Sequence, residues 1–216
     1  MRSTEAQDIL NIENLDKFVD ISEIPPEYKL IDITETKGEH IYDVYTDGSR
    51  INSDTGLAVY IFKNNTSTEE YLFRLGSCNT VFQAELAAID FTAGWVLRNN
   101  AKIDIFTDTQ SSIDAIKSAK LISEFVNNIK RNIFNARQLI SVTWGKAHVG
   151  NPGNEHADRQ AKFATEKGVQ LNYPAPCTYV TLKINQYIMG EWEEYWKNHE
   201  SNSILRVRTY LDKVDK

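Results

Sequence analysis

The sequence predicts a protein of the α/β class, in which one five-stranded mixed sheet carries helices on both faces. The first observation is that short apolar runs alternate with longer segments whose apolar residues recur every three or four positions, in the order βββαβααβα. The second is the long segment between the first and fourth strands. Such a crossover normally joins parallel strands and is right-handed, which predicts that these two strands lie parallel in one sheet.

The first three strands are predicted as an antiparallel meander. An apolar run at residues 41–46 ends at Asp47-Gly48-Ser49, which is typical of a buried strand followed by a turn. Two further runs at 57–62 and 70–75 are joined by a polar loop at 63–67. We therefore expect these strands to be neighbours in the sheet.

Helices and strands then alternate. Apolar residues at steps of three and four predict an amphipathic helix over residues 81–97. Further strands are predicted at Ile103–Thr107 and Ile140–Trp144, and further helices at 110–118, 122–138 and 154–167. Ala157, Ala161 and Ala164 lie on one side of the last of these helices, which indicates its buried face.

The ends of the chain differ from this pattern. Residues 1–38 form a polar, acidic extension with a turn or linker at Pro25-Pro26 and one possible helix at 13–19, and residues 39–168 form the predicted domain. Residues 169–216 form a tail. Its apolar residues spaced by four predict a helix with a packing surface: Ile184, Ile188, Trp192 and Trp196.

Composition is that of an ordinary globular protein, with 41% hydrophobic and 25% charged residues. No apolar stretch approaches the roughly 18 residues that a membrane span needs. The polar, acidic N-terminus does not resemble a signal peptide. Two cysteines, Cys78 and Cys177, are expected to be reduced thiols. We therefore expect an intracellular protein, in the cytoplasm or the nucleus, without a membrane partner.

The net charge of −6 is unusual for a protein that binds nucleic acid. Bound divalent cations would reverse the sign near any carboxylates that hold them. Residues 115–147 are also locally basic, with six cations against Glu124: Lys117, Lys120, Lys130, Arg131, Arg137 and Lys146. This region is interpreted either as a nucleic-acid contact or as an ordinary solvated helix face.

Two predicted strands end in the same way, at Tyr45-Thr46-Asp47 and at Phe106-Thr107-Asp108. A single aspartate after a strand is usually a turn or capping residue. If the two strands are parallel neighbours, however, both aspartates emerge at the carboxyl edge of the sheet, where α/β proteins bind ligands.

Two more carboxylates join this pair. Glu85 borders the apolar stripe of its helix, and no Lys or Arg lies one turn away to pair with it, so a metal ion explains its position better than a local salt bridge. Asp158 follows a glycine-containing loop near the start of the last helix. An all-oxygen set of this kind favours Mg²⁺ or Mn²⁺ over zinc, and the ligand spacing of an EF-hand calcium site is missing.

These residues carry a resemblance to a known family. The segments concerned are Tyr45-Thr46-Asp47-Gly48-Ser49, Gln83-Ala84-Glu85-Leu86, Phe106-Thr107-Asp108-Thr109-Gln110, and the stretch from His148 through Asn154 to Asp158. In their order and spacing they resemble the four motifs of ribonuclease H over residues 38–168. The local sequence around Phe82 and the tryptophans of the tail are most similar to those of ribonuclease H domains in non-LTR retrotransposon polyproteins.

The resemblance implies the ribonuclease H-like fold and an endonuclease that cuts the RNA strand of RNA–DNA hybrids with two Mg²⁺ ions, for which Mn²⁺ can substitute. It implies that Asp47 bridges both ions, that Asp108 and Asp158 serve the nucleophile side, and that Glu85 serves the leaving-group side. It further implies that His148 assists proton transfer or product release, and that products carry 5′-phosphate ends. Candidate substrate contacts are Ser49, Asn79, Gln83, Thr109 and Asn154.

Polymerase motifs are missing from the sequence, so the chain is expected to be a piece or derivative of a polyprotein, with a reverse transcriptase domain as its partner. Two alternatives remain at this point. Exonucleases on the same fold carry Asp-x-Glu on the first strand, whereas Asp47 is followed by Gly48-Ser49. A catalytically silent nucleic-acid-binding or assembly module would also keep the fold, but would have no need for the complete carboxylate set.

Overall fold

A computed structural model describes residues 15–31, 38, 40–64, 66–120, 122–145 and 152–199. The chain divides into two compact units, one comprising Asn14–Ala175 and the other containing the helix that starts at Cys177. Within the described residues, none of the helices has the length and apolar character needed to cross a bilayer. Cys78 and Cys177 are both present as thiols, as the sequence predicted.

One mixed sheet organises the larger unit, and this confirms the predicted fold class. Its strands lie in the order β5-β4-β1-β2-β3-β6. The first three pair antiparallel, and β4 and β5 extend the sheet from β1 in parallel, as predicted. The bounds are Tyr42–Ile51 for β1, Asp54–Lys63 for β2, Thr66–Leu75 for β3, Ile103–Thr107 for β4, Ile140–Trp144 for β5 and Val169–Gln170 for β6. The sixth strand was not predicted, because two residues are too few to show an alternating pattern.

The helices fall close to the predicted segments, except for a four-residue helix after Pro25, where the sequence indicated a turn or linker. They are α1 at Pro26–Lys29, α2 at Val81–Asn99, α3 at Gln110–Lys117, α4 at Glu124–Ala136, α5 at Pro152–Lys167 and α6 at Cys177–Asn198. A capping box between Thr80 and Gln83 sets the start of α2, and the Ser123 side chain caps α4. The helix predicted in the tail is thus confirmed as α6.

Helices cover both faces of the sheet. A Cβ atom on Gly48 of β1 would lie 3.0 Å from Ala84 of α2, whereas a Cβ atom on Gly153 of α5 would lie 2.4 Å from the ring of Tyr45. Residues 45 and 48 point to opposite faces of a strand because side chains alternate. Helix α2 therefore packs on one face and α5 on the other, and the sheet is held between them.

The main core lies between the sheet and α2, α3 and α4. Its members are fully or almost fully buried, and they include Val44, Ile89, Ile105, Ile129 and Val142. On the opposite face, α5 contributes small residues, because Ala157, Ala161 and Ala164 are all completely buried. Small side chains let a helix approach a sheet closely, which brings Asp158 on α5 near the carboxyl edge.

Residues 15–31 form part of the larger unit. The helix considered possible at 13–19 is wrong over residues 15–19, where Leu15 and Phe18 form isolated bridges with Ala175 and Ser123. The Asp16 carboxylate accepts hydrogen bonds from the Ser123 hydroxyl at 2.6 Å and from the amide of Phe125 at 2.9 Å. An aspartate that caps another helix is fixed by tertiary contacts, which the local sequence does not reveal. The predicted boundaries at 38 and 168 stay predictions.

One cation of the basic segment is internal. Lys130 of α4 is 1% exposed, and its ammonium donates to the carbonyl oxygens of Lys29 at 2.8 Å and Ser118 at 2.6 Å. Burial lowers the pKa of this lysine. The interpretation of Lys130 as part of a solvated or nucleic-acid-binding face is therefore wrong. Lys146 lies outside the described residues.

The close packing of α5 gives a first testable prediction. A Cβ atom on Gly56 of β2 would lie 2.5 Å from the carbonyl oxygen of Ala161 and 2.6 Å from the amide of Thr165. Because backbone atoms of a packed helix cannot move aside alone, Gly56→Ala should lower the free energy of unfolding by about 2 kcal/mol. Urea denaturation measures it.

Gly94→Ala is the matched control. A Cβ atom there would meet only the flexible end of Arg98, at 3.4 Å, within helix α2. Alanine is a better helix former than glycine, so this variant should be as stable as the wild type or more stable, by up to about 1 kcal/mol. Equal stability of the two variants would contradict the close packing of α5 on β2.

Candidate active site

Two aspartates lie side by side where β1 and β4 run in parallel. Tyr45 pairs with Phe106 in the sheet, so Asp47 and Asp108 each follow two residues beyond a matched pair. The two strands do not end alike, however. β4 ends at Thr107, whereas β1 continues past Asp47 to Ile51 and turns at Asn52-Ser53. Asn52 takes up the left-handed conformation (φ 56°) that the tight turn needs, so Gly48-Ser49 is not the turn that the sequence indicated.

Gly48 brings the third carboxylate to the same place. Its backbone N–H donates to Oε1 of Glu85 at 2.9 Å. A Cβ atom at this position would also lie 3.0 Å from the Glu85 amide and 3.2 Å from its Cγ. A side chain at position 48 would therefore crowd α2, and the close approach that glycine allows aims Glu85 towards Asp47.

Asp47, Glu85 and Asp108 together form a carboxylate cluster. Each offers one oxygen, and these three oxygens all lie within 4.8 Å of one another. Asp47 is 8% exposed and Glu85 is 2% exposed, while Asp108 is half-buried. Solvent is thus excluded from the cluster at Asp47 and Glu85 and reaches it at Asp108.

The cluster resists ionisation. Burial, followed by the charge of Asp108, raises the pKa of Asp47 to about 7. Burial and then the charge of Asp47 raise the pKa of Glu85 well above its usual range. The Thr109 hydroxyl and the Gly48 amide lower the pKa of Glu85 again, but by less than burial raises it. Without a cation, three adjacent negative charges in this setting are costly.

The residues present fit a divalent metal ion. Oε2 of Glu85 is buried and has no hydrogen-bond partner of normal geometry among the described residues. A buried carboxylate oxygen in that state costs free energy unless a cation or a donor meets it. All the ligand atoms of the cluster are carboxylate oxygens, and such donors suit Mg²⁺ or Mn²⁺.

Asp158 lies beside the cluster rather than within it. Its Oδ2 accepts a hydrogen bond from the ammonium of Lys162, one turn further along α5, at 2.8 Å. The charge of Asp158 nevertheless contributes to the raised pKa of Asp47, so the two carboxylates are close enough to interact. The structure thus brings together three of the four predicted ligands and places the fourth at the rim. His148 lies outside the described residues.

Three predicted substrate contacts lie on partly exposed positions near this edge. Ser49 follows Gly48 on β1, and Thr109 directly follows Asp108, to which its hydroxyl donates at 3.4 Å. Asn154 is in the first turn of α5, with its amide nitrogen close to Gly145. Their assignment to the substrate stays a prediction.

Asn79 and Gln83 are used inside the fold. Their exposed fractions are 1% and 2%. The Asn79 amide donates to Gln83 Oε1 at 3.1 Å, and both side-chain amides donate to the carbonyl oxygen of Pro174, at 3.1 and 3.0 Å. Gln83 also completes the capping box of α2. Both side chains therefore hold the β3–α2 loop and the segment after β6 in place, and their assignment to substrate also stays a prediction.

Two residues at the site were not singled out from the sequence. The indole N–H of Trp144, a half-exposed residue at the end of β5, donates to the carbonyl oxygen of Asp108 at 3.0 Å. Lys162 pairs with Asp158. The spacing of four residues between Asp158 and Lys162 could have revealed the second contact, whereas the contact of Trp144 depends on strand pairing.

The fold and the cluster together define an α/β protein with a candidate metal site at the carboxyl edge of its sheet. The sequence profile of the RNase H family matches residues 39–166, which is more than half of the chain. The chain therefore belongs to the ribonuclease H family. A search of curated protein sequences finds no significant match.

Solved structures support the fold. The native protease–reverse transcriptase of prototype foamy virus superposes with a TM-score of 0.55 at 17% identity, covering 63% of this chain and 23% of that one. The foamy viral protease–reverse transcriptase in complex with an RNA/DNA hybrid gives 0.51 at 19% identity, covering 63% and 22%. A chain from its complex with double-stranded DNA gives 0.50 at 19% identity, with 59% and 96% covered. This chain thus spans about a quarter of the full viral protein, and the likeness is one of fold.

The electrostatics of the cluster predict the effect of Asp47→Asn on stability. Asp47 has a pKa of about 7 in the folded protein, whereas the ordinary pKa of an aspartate is 3.8, so the unfolded state binds fewer protons between these values. The stability of the metal-free protein should therefore fall as the pH rises through this window. Asp47→Asn should be more stable than the wild type above about pH 7, by about 1 kcal/mol or more, and the gain should vanish near pH 4.

The comparison is made by thermal unfolding at several pH values, with Asp54→Asn as a control that removes the same charge from an exposed position. An excess of Mg²⁺ should raise the melting temperature of the wild type and of the control, but hardly that of Asp47→Asn. If the melting temperature of the wild type did not change when Mg²⁺ is added, this would argue against a metal site.

Proposed function

We propose that this protein is an endonuclease that hydrolyses the RNA strand of RNA–DNA hybrids with the help of divalent metal ions. The observation that carries the proposal is the buried carboxylate cluster at the sheet edge of a ribonuclease H domain, in which one Glu85 oxygen has no hydrogen-bond partner of normal geometry among the described residues. A cluster of this charge repels a phosphodiester unless cations lie between them. The site therefore suits a phosphodiester substrate that binds together with metal ions.

Asp47, Glu85 and Asp108, joined by Asp158, would hold two Mg²⁺ ions, for which Mn²⁺ can substitute. Ions bound there would lower the pKa of a water and neutralise charge that develops on the phosphate. Asp47 is central in this arrangement, because its pKa depends on the charges of both Asp108 and Asp158. Glu85, held on the opposite side by the Gly48 amide, would serve the leaving-group side.

Selectivity for RNA requires donors and acceptors that reach a 2′-hydroxyl. Ser49, Thr109 and Asn154 are the partly exposed polar residues of the predicted set near the cluster, and we assign this role to them first. Hydrolysis would leave 5′-phosphate and 3′-hydroxyl ends. His148, which precedes α5 in the sequence, would assist proton transfer or product release.

We further propose that the domain acts beside a reverse transcriptase in a larger polyprotein inside the cell, in the cytoplasm or nucleus, and derives from a non-LTR retrotransposon. In the solved foamy viral structures the matching region is a small share of a protease–reverse transcriptase. The motifs from Phe82 to Glu85 and the tryptophans of the tail support the retrotransposon origin.

The first test is cleavage of a labelled RNA–DNA hybrid by Asp108→Asn in the presence of Mg²⁺. Loss of one cluster charge weakens metal binding, so the cleavage rate should fall by several orders of magnitude, while hybrid binding measured by fluorescence anisotropy is largely kept. Asp114→Asn on α3, an exposed position whose carboxylate accepts from Gln110, removes the same charge and should cleave normally. Equal cleavage by Asp108→Asn and the wild type would refute the site, and an inactive wild type that still binds hybrid would indicate a silent binding module.

The second test compares substrates of one sequence. A DNA–DNA duplex has no 2′-hydroxyl on either strand, so it should resist cutting under conditions in which the RNA–DNA hybrid is cut to completion. Mass spectrometry of the products should show 5′-phosphates on the RNA fragments. Similar rates on both duplexes would indicate a general nuclease.

A further inference from the structure

An ion pair on α5 involves the one predicted metal ligand that lies outside the carboxylate cluster. Lys162 Nζ lies 2.8 Å from Oδ2 of Asp158, at a spacing of four residues on the helix. The side chain of Asp158 is 28% exposed and that of Lys162 is 50% exposed. The pair therefore sits at the rim of the site, where both side chains have room to change partner.

Asp158 has a second possible partner. Its charge acts on Asp47, although its oxygens do not belong to the group that lies within 4.8 Å. A cation held by the cluster would attract the same carboxylate that Lys162 now holds. An ammonium in contact with Oδ2 also repels any divalent cation that approaches this oxygen.

We propose that Lys162 is a positioning residue that competes with the divalent cation for Asp158. Asp158 is exchanged between the ammonium and the metal, and this exchange sets how tightly the fourth ligand closes the site. The inference rests on the proposed metal-binding function of the cluster. It adds that a residue which is not itself a ligand limits the affinity for the ion.

The strength of the pair sets the size of the effect. An aspartate four residues before a lysine on an exposed helix face forms a weak pair, because water competes with it and long side chains lose freedom. Removing the competitor should therefore tighten cation binding by only about two- to three-fold. Because the free-energy difference between the two partners is small, the exchange is readily reversed. This suits a carboxylate that must both bind and release the metal ion.

The experiment titrates the 216-residue chain with Mn²⁺ in the absence of nucleic acid and follows free Mn²⁺ by electron paramagnetic resonance. The variants are Lys162→Met, Lys162→Arg and Lys167→Met. Lys167 lies in the last turn of α5, about 7 Å further along the helix axis, so its variant matches the change in net charge alone. The expected result is two- to three-fold tighter binding for Lys162→Met, with Lys162→Arg and Lys167→Met close to the wild type.

A double-mutant cycle separates competition from general electrostatics. If Lys162 acts through Asp158, Lys162→Met should have no effect on Mn²⁺ affinity in the Asp158→Asn background. Tightening that persists in that background, equal tightening by Lys167→Met, or no tightening by Lys162→Met would each overturn the inference while leaving the metal site intact.

Failure of the metal site itself gives a different result. If the wild type does not bind Mn²⁺, or if Asp47→Asn binds it as well as the wild type, the proposed function fails and the role of Lys162 falls with it. Circular dichroism of every variant establishes that the fold is kept, which is expected because both side chains of the pair are partly exposed.

Discussion

The free-energy cost of holding Asp47, Glu85 and Asp108 together is the constraint on which the rest of the structure depends. Two of the three carboxylates are almost fully buried, and burial is the largest cause of their raised pKa values. A sheet edge alone would let such groups turn towards water. Here the Gly48 amide holds Glu85 from one side, and the core under α2 prevents the helix from moving away. The stability of the core thus keeps the three carboxylates together although their negative charges repel one another. A bound cation would reduce this repulsion.

The helices on the two faces of the sheet position the carboxylates in different ways. Helix α2 is fixed by a capping box, by the internal network of Asn79 and Gln83, and by a large apolar interface. Helix α5 lies on the other face through small residues, and the carboxylate it carries is partly exposed and paired with a lysine. One side of the site is therefore held by several internal contacts, whereas the carboxylate on the other side is held by one partly exposed ion pair. That difference is compatible with a site in which three carboxylates are already positioned and the fourth moves in when a cation binds.

The fold and the carboxylate cluster were largely predictable because they follow from periodicity and from the parallel pairing of β1 with β4. β4 and β5 were predicted at their observed bounds, since both are short runs rich in β-branched and aromatic residues. Tertiary contacts explain the misses. Gly48-Ser49 has the composition of a turn, yet β1 continues because Asn52 supplies the left-handed residue. The short β6 and the bridges of Leu15 and Phe18 have no local signal either. Likewise, Lys130 resembles any surface lysine until its carbonyl acceptors are known.

The buried Lys130 also bears on where this domain begins. Its ammonium is met by a carbonyl oxygen of Lys29, and Ile24 and Ile31 from the same stretch are 7% and 4% exposed. A chain trimmed to the family-matched region, residues 39–166, would leave the Lys130 ammonium with only one of its two carbonyl acceptors, that of Ser118, and would remove Tyr28 from its edge-on contact with the Phe134 ring. Residues 15–31 thus cover part of the apolar surface of the ribonuclease H domain, and a fragment whose boundaries follow family similarity alone would lose them.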